Sequence, residues 1–215
     1  MKNLKLIEHH NIKRVEVDGT RYYVTPKGNK YISITTFLGK TENKDFLKDW
    51  QSKVGEEVAS KISEEARNNG NNLHWCCEQY LLNKEFEFPT KKSKLFFKQI
   101  ADYLKNIDEV YGIEIPLYSD KLRLAGTSDC VGMYKGDICI IDFKNSRKLK
   151  KEEWIQNYFL QGAFYSLAYY EMYGIFPKNI VIMIATGELE PQIFIKDSKE
   201  YIIKLIALRK KFPNL

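Results

Sequence analysis

The sequence lacks a long apolar run, a Cys-x-x-Cys pair, an internal repeat and a low-complexity tract. A membrane-spanning helix needs about 20 consecutive apolar residues, so no membrane partner is expected. The chain starts polar after Met1 and shows no secretory pattern. That predicts a soluble cytoplasmic protein, and the lysine-rich composition suggests a bacterium or a phage-infected host cell. The four cysteines, Cys76, Cys77, Cys130 and Cys139, are scattered. An iron–sulfur cluster needs a cysteine set at one locus, so none is expected, and the thiols should be reduced and mostly packed in the core. Charge of neither sign dominates: Lys+Arg number 34 against Asp+Glu 28, a net +6. This permits a polyanionic partner without demanding one. A length of 215 residues suits one domain with a full-sized core, and a monomer is the expectation.

What the chain does have is concentrated between Gly126 and Lys144. The runs Gly126-Thr127-Ser128-Asp129-Cys130-Val131-Gly132-Met133-Tyr134 and Asp137-Ile138-Cys139-Ile140-Ile141-Asp142-Phe143-Lys144 flank a Lys135-Gly136 turn signal. They predict a β-hairpin. With a two-residue loop Tyr134 pairs with Asp137, and counting outward sets Asp129 opposite Asp142. Directly opposed side chains have Cβ atoms about 4.5–5.5 Å apart. Two carboxylates that close repel, or one holds a proton, unless a cation lies between them. Lys144 shares a face with Asp142, because side chains two apart on a strand point the same way. Hard oxygen ligands select Mg2+ or Mn2+, as one or two ions. A three-residue loop would offset this pairing. An isolated Asp-x-Lys at a strand end is ordinarily a solvated charge pair. Here it follows Ile138-Cys139-Ile140-Ile141, which reads as a buried strand.

Upstream, Ile12–Val17 and Tyr22–Thr25 alternate around Asp18-Gly19, a hairpin turn, and Tyr31–Ile34 adds a third short strand, giving a small N-terminal β element. A helix should start at Ser33-Ile34-Thr35-Thr36, with Ser33 or Thr35 as its cap. Hydroxyls and free amides at such a start can hold a phosphate, although capping alone explains them. Asp45–Asn68 reads as one or two helices with a charged outer face, and Arg67–Asn72 as a loop. Leu73–Leu82 is expected to be a separate helix carrying His74. Ser93–Tyr111 is expected to be helical, with Leu95 among its inward residues, and the central sheet to begin at Glu114. Asn145-Ser146-Arg147-Lys148 opens a basic run directly after Lys144, a candidate phosphate guide. Trp154–Tyr173 is a helix on which Asn157, Gln161 and Tyr165 form one polar stripe. Asn179–Ala185 and Gln192–Ile195 are paired strands, and Ser198–Phe212 closes the chain as a helix.

Gly126-Thr127-Ser128-Asp129 followed by Ile141-Asp142-Phe143-Lys144 resembles the core of the PD-(D/E)XK nuclease superfamily. Gln161-x-x-x-Tyr165, about twenty residues further on, resembles the mark of its RecB-like exonuclease branch. Ser128 stands where the literal motif has proline. The pattern is similar to the group of mitochondrial genome-maintenance exonucleases and their phage and bacterial relatives, over roughly residues 33 to 208. The resemblance implies that His74, Asp129, Asp142 and the Phe143 carbonyl hold the metal. It also implies that Lys144 acts on the attacking water, that Glu114 lies near the metal, and that Gln161 and Tyr165 secure the site. Ser33, Thr35, Thr36, Asn145, Ser146, Arg147 and Lys148 would contact DNA.

The expected fold class is α/β: a restriction-endonuclease-like core with a central mixed sheet flanked by helices. Residues 1–32 are a β-rich extension and 33–215 the nuclease core of a single domain. The expected activity is Mg2+- or Mn2+-dependent DNA exonucleolysis with preference for single strands, covered by the Asp45–Asn68 segment, in DNA repair or recombination. An endonuclease or duplex exonuclease of the same fold, and a DNA-binding module without catalysis, remain open.

Overall fold

Lys135 and Gly136 both adopt left-handed backbone, with φ of 51° and 87°. This is what a two-residue hairpin turn demands of its central positions. The turn sets the register on which the sheet is built. Strand β6 (Leu124–Tyr134) pairs antiparallel with β7 (Asp137–Asn145), with Tyr134 opposite Asp137 and Cys130 opposite Ile141. The computed structural model describes residues 1–42 and 45–215, and for 45–49 the backbone alone.

The remaining strands are β1 (Asn3–Leu4), β2 (Lys13–Val17), β3 (Thr20–Val24), β4 (Lys30–Ser33), β5 (Ile107–Ser119), β8 (Asn179–Ala185) and β9 (Gln192–Asp197). Together they form one nine-stranded mixed sheet of order β2-β3-β4-β6-β7-β8-β9, with β5 on β6 and β1 on β5. The three N-terminal strands predicted around Asp18-Gly19 are present, and they join this same sheet through β4. Helices α1 (Ile34–Thr41), α2 (Asp45–Val54), α3 (Glu56–Leu81), α4 (Lys91–Leu104), α5 (Gln156–Tyr173) and α6 (Ser198–Lys211) complete the fold. No described helix is long and apolar enough to cross a membrane.

Alternate residues of β6 and β7 feed two cores on opposite faces. Cys130, Ile141 and Phe143 pack with Leu73, Cys76, Phe96 and Ile100 of α3 and α4. Val131 and Ile140 pack with Phe37, Phe164, Tyr169 and Leu205 of α1, α5 and α6. All four cysteines are buried free thiols.

Along β6 the pairing changes. One edge is occupied by β5 from Leu124 to Tyr134. The other edge pairs with β4 at Leu124 and Ala125, and with β7 only from Cys130 onward. Residues 126–129 lie in the gap between these partners. The sheet forks there, and the fork is where the candidate site lies.

Four expectations are corrected. Arg67–Asn72 is not a loop, because α3 runs unbroken from Glu56 to Leu81. The weak helix propensity of the Asn-Gly tract is outweighed by the burial of Leu73, Cys76, Cys77 and Leu81. The helix predicted to reach Tyr111 ends at Leu104, and Ile107 and Val110 are buried as residues of β5. Their inward spacing fits a bulged strand as well as a helix, since β5 slips register between Ile107 and Glu109 and again between Val110 and Gly112. Consequently the central sheet begins at Ile107 rather than Glu114. Leu95, expected inward, is exposed.

Candidate metal centre at the fork of the sheet

Asp129 stands one residue beyond the last β6–β7 pair, where counting sets it across from Asp142. Its carboxylate takes up a backbone role: Oδ2 accepts the Phe143 N–H at 2.9 Å. The same oxygen lies 3.5 Å from His74 Nδ1. The other imidazole nitrogen, Nε2, lies 2.5 Å from the Phe143 carbonyl oxygen. His74 thus reaches the strand end from the middle of α3, not from behind a glycine loop. Gly70, one turn earlier, lets α3 approach this closely: a Cβ there would stand 3.1 Å from Asn145 Oδ1.

Glu114 completes the cluster from β5. It sits between the pairs Ile113–Cys130 and Ile115–Ser128, and its φ is 45°. A non-glycine residue in that region inside a strand is strained, and such strain collects at functional sites. Ligand-capable atoms of His74, Glu114 and Asp129 all lie within 4.8 Å of one another. Glu114 is exposed at the rim of the cluster, yet partial loss of hydration of its carboxyl, then the charge of Asp129, pushes it up to about 7, against the opposing pull of His74.

Asp142 and Lys144 lie on one side of β7, as their spacing predicts, and form an ion pair through Asp142 Oδ2. Asp142 is only 2% exposed, and neither carboxylate oxygen has a properly oriented hydrogen-bond partner among the described residues. Loss of hydration, partly offset by Lys144 and reinforced by Asp129, raises Asp142 to about 6. Burial alone would lower the Lys144 ammonium, but Asp142 and Asp129 outweigh it and raise its pKa. A buried carboxylate left short of donors is costly unless a cation satisfies it. The orphaned Oδ1 and the adjoining carboxylate–imidazole cluster therefore fit a hard divalent cation.

Gln161 and Tyr165 approach from α5. Gln161 Nε2 donates to the Tyr165 hydroxyl at 3.1 Å. The Tyr165 ring packs on Gly126, where a Cβ would come within 2.9 Å of ring carbon and hydroxyl. Their immediate role is thus to brace the gap in β6. Tyr158, one helical turn before Gln161, stands 5.4 Å from Lys144 Nζ by its ring centroid. Its place on the Gln161/Tyr165 face was the available sign of this residue, which sequence reasoning passed over.

The predicted DNA-contact residues divide into two groups. Ser33 caps α1, accepting the Thr36 N–H at 3.1 Å, and its hydroxyl also meets those of Thr36 at 2.7 Å and Thr35 at 3.1 Å. This cluster lies at the β4 side of the fork. The basic run is tied to α3: Asn145 donates to the Ala66 carbonyl at 3.3 Å and Arg147 pairs with Glu65 at 2.5 Å. Ser146 bonds within its own turn, donating to the Lys148 carbonyl at 2.6 Å. The proposed cover over the strand falls on α2 and the start of α3. Phe46 and Leu47 of that stretch have side chains outside the described residues.

No family model matches this chain. It is 27% identical to mitochondrial genome maintenance exonuclease 1 of Mus musculus over 131 residues, which is 57% of this chain and 39% of the mouse protein. The Homo sapiens protein of the same name is 26% identical over 128 residues, 55% of this chain and 37% of that one. The chain thus spans about two fifths of the length of these curated relatives. A solved structure from Eubacterium rectale, described as a candidate exonuclease, matches with a TM-score of 0.50 at 15% identity. That match covers 68% of this chain and 64% of the other, and it speaks to the fold. Together these similarities bear out the resemblance to exonucleases of the PD-(D/E)XK type and the mixed α/β fold.

Proposed function

We propose that this chain is a metal-dependent nuclease that hydrolyses DNA phosphodiester bonds from strand ends, with preference for single strands. The observation that carries the reading is Asp142. It is buried, ion-paired to Lys144, short of hydrogen-bond donors and adjacent to the cluster of His74, Glu114 and Asp129. A structural ion pair needs no second and third acidic group beside it, because each further carboxylate raises the cost of ionisation.

His74, Asp129, Asp142 and the Phe143 carbonyl would hold Mg2+ or Mn2+, with Glu114 now an equal candidate ligand. When bound, such an ion lowers the pKa of a coordinated water and neutralises charge on the phosphate oxygens. Lys144 supplies the positive charge beside the reacting phosphate and orients the attacking water by donating a hydrogen bond to it. Tyr158 and Asp142 fix the position of that ammonium. Gln161 and Tyr165 keep the gap in β6 open to the substrate. The Ser33 cluster and the Asn145–Lys148 run, on the two sides of the fork, would grip the backbone without reading sequence. The similarity to proteins named as exonucleases supports action at ends. The single-strand preference follows from the resemblance to the mitochondrial and phage group.

The test is degradation of end-labelled single-stranded DNA by the wild type and by Lys144→Ala, with Mg2+, with Mn2+ and with EDTA. Metal-dependent loss of label that disappears in the variant is the expected result. A circular strand should survive, and its cleavage would turn the reading to an endonuclease. DNA bound but uncut under every metal would leave only a binding module.

A further inference from the structure

Away from the fork, a pocket of about 360 Å3 opens where β3, β4, the start of β6 and the end of α6 meet. Tyr22, Lys30, Tyr31, Ile32, Arg123 and Arg209 line it, and residues 213–215 form one side. Arg123 precedes Asp129 by six positions. At about 3.3–3.4 Å per strand residue that is roughly 20 Å from the metal cluster.

Three cations face this pocket, and among the described residues no side-chain carboxylate forms an ion pair with any of them. The nearby Asp120 carboxylate accepts a hydrogen bond from the Tyr31 hydroxyl at 2.6 Å. Arg209 is fixed in place: Nε donates to the Leu122 carbonyl at 2.8 Å and Nη1 to the Phe212 carbonyl at 2.5 Å. Its guanidinium lies 5.3 Å above the Phe37 ring centroid. Arg123 is held in left-handed backbone at φ 52°, a conformation that non-glycine residues adopt at a cost. Lys30 stacks over Tyr22 with Nζ 4.3 Å from the ring centroid. Burial, and then the charge of Arg123, depresses the Arg209 guanidinium. Two guanidiniums that repel each other, one anchored and one strained, with a lysine opposite, form a preorganised anion receptor. The tyrosine walls add a surface on which a planar ring can stack. The volume lies near the lower end of the roughly 300–1,000 Å3 usual for small-ligand sites.

We infer that this pocket binds the phosphate of a nucleotide unit, through Lys30, Arg123 and Arg209, with the base against Tyr22. The nuclease reading enters only in choosing deoxynucleotides as probes. The phosphate can come from a free mononucleotide or from a strand whose other part occupies the fork.

Binding of dTMP is measured calorimetrically in EDTA to wild type, to the Lys30→Ala/Arg123→Ala double variant and to Asp129→Asn. Both substituted cations are exposed, so the double variant should fold, and its melting curve checks this. Arg209 is left intact because it ties two backbone carbonyls. Saturable dTMP binding that weakens at least tenfold in the double variant and persists in Asp129→Asn is expected. In parallel, affinity for a fluorescent single-stranded oligonucleotide is followed against salt. A strand-borne phosphate here predicts a slope smaller by about 0.7 in the double variant, the loss of one phosphate contact. An unchanged slope with lost dTMP binding assigns the pocket to free nucleotide. Equal dTMP binding and equal slopes in all three proteins would overturn the site, whatever the nuclease assay shows. Conversely, an inactive enzyme that still binds dTMP through Arg123 would refute the nuclease reading and leave the pocket standing.

Discussion

The Asp129 carboxylate accepts the Phe143 N–H at 2.9 Å while facing His74 Nδ1 at 3.5 Å with the same oxygen. One side chain therefore holds the β7 strand end in place and presents charge to the candidate ion. These two duties separate by substitution. Asp129→Asn keeps an oxygen that can accept the N–H, so its melting temperature in EDTA should stay close to wild type while divalent-metal affinity falls. Asp129→Ala leaves the N–H of buried Phe143 unpaired and should cost a further 1–3 kcal/mol or so of stability. Equal metal affinity in Asp129→Asn and wild type, by calorimetry, would remove Asp129 from the ligand set.

Ionisation of the cluster should weaken the metal-free fold. Asp142 is raised to about 6 and Glu114 to about 7, from ordinary values of 3.8 and 4.5. A carboxyl whose pKa is higher folded than unfolded binds its proton more tightly in the native state. Its stabilising contribution is complete below the unfolded value and is lost as pH rises through the folded one. In EDTA, Glu114→Gln lacks this loss, so its melting temperature should gain on wild type between pH 5 and pH 8. Saturating Mg2+ should restore the wild type at the upper end of that range. A gap that narrows with rising pH would contradict the assignment.

Gly126 is required by Tyr165 rather than by any unusual backbone angle. A methyl group there meets the Tyr165 ring and hydroxyl at 2.9 Å and Ile34 Cγ2 at 3.0 Å. Gly126→Ala should displace Tyr165 from Gln161 and lower the rate of DNA cleavage. Tyr165→Phe, which removes the hydroxyl but keeps the ring, should retain most of the stability and show a smaller loss of rate. The paired comparison of kcat and melting temperature separates bracing from direct chemistry.

Glu65 restrains the basic run. It pairs with Arg147 of the loop after β7 and with Lys92 of α4, and both neighbours lower its pKa. Exposed ion pairs contribute little to stability. Glu65→Gln should therefore leave the melting temperature within a degree or two, while releasing Arg147 to a phosphate. Affinity for single-stranded DNA at low salt should rise several-fold in Glu65→Gln and fall in Arg147→Ala. If both variants bind like wild type, the run is not a phosphate guide.

The local elements followed from the sequence because their causes are local. The Lys135-Gly136 turn, the strand alternation beside it and the spacing of Asp142 and Lys144 on one face are consequences of a two-residue period and of left-handed turn geometry. The four-residue recurrence of Gln161 and Tyr165 likewise set them on one helical face, where they bond. The continuity of α3 through Asn68–Asn72 was not legible, because the burial that outweighs poor propensity comes from α4 and from strands of the central sheet, which lie outside the helix's own stretch of sequence. The same holds for the bulges that turn Ile107–Tyr111 into a strand. Above all, only the tertiary structure decided that β6 exchanges β4 for β7 across residues 126–129. Long-range strand pairing sets that gap, and with it the meeting of His74 from α3, Glu114 from β5 and Asp129 from β6. The sequence alone determined which residues are candidates for the chemistry, and the forked sheet determined which of them meet in one cluster.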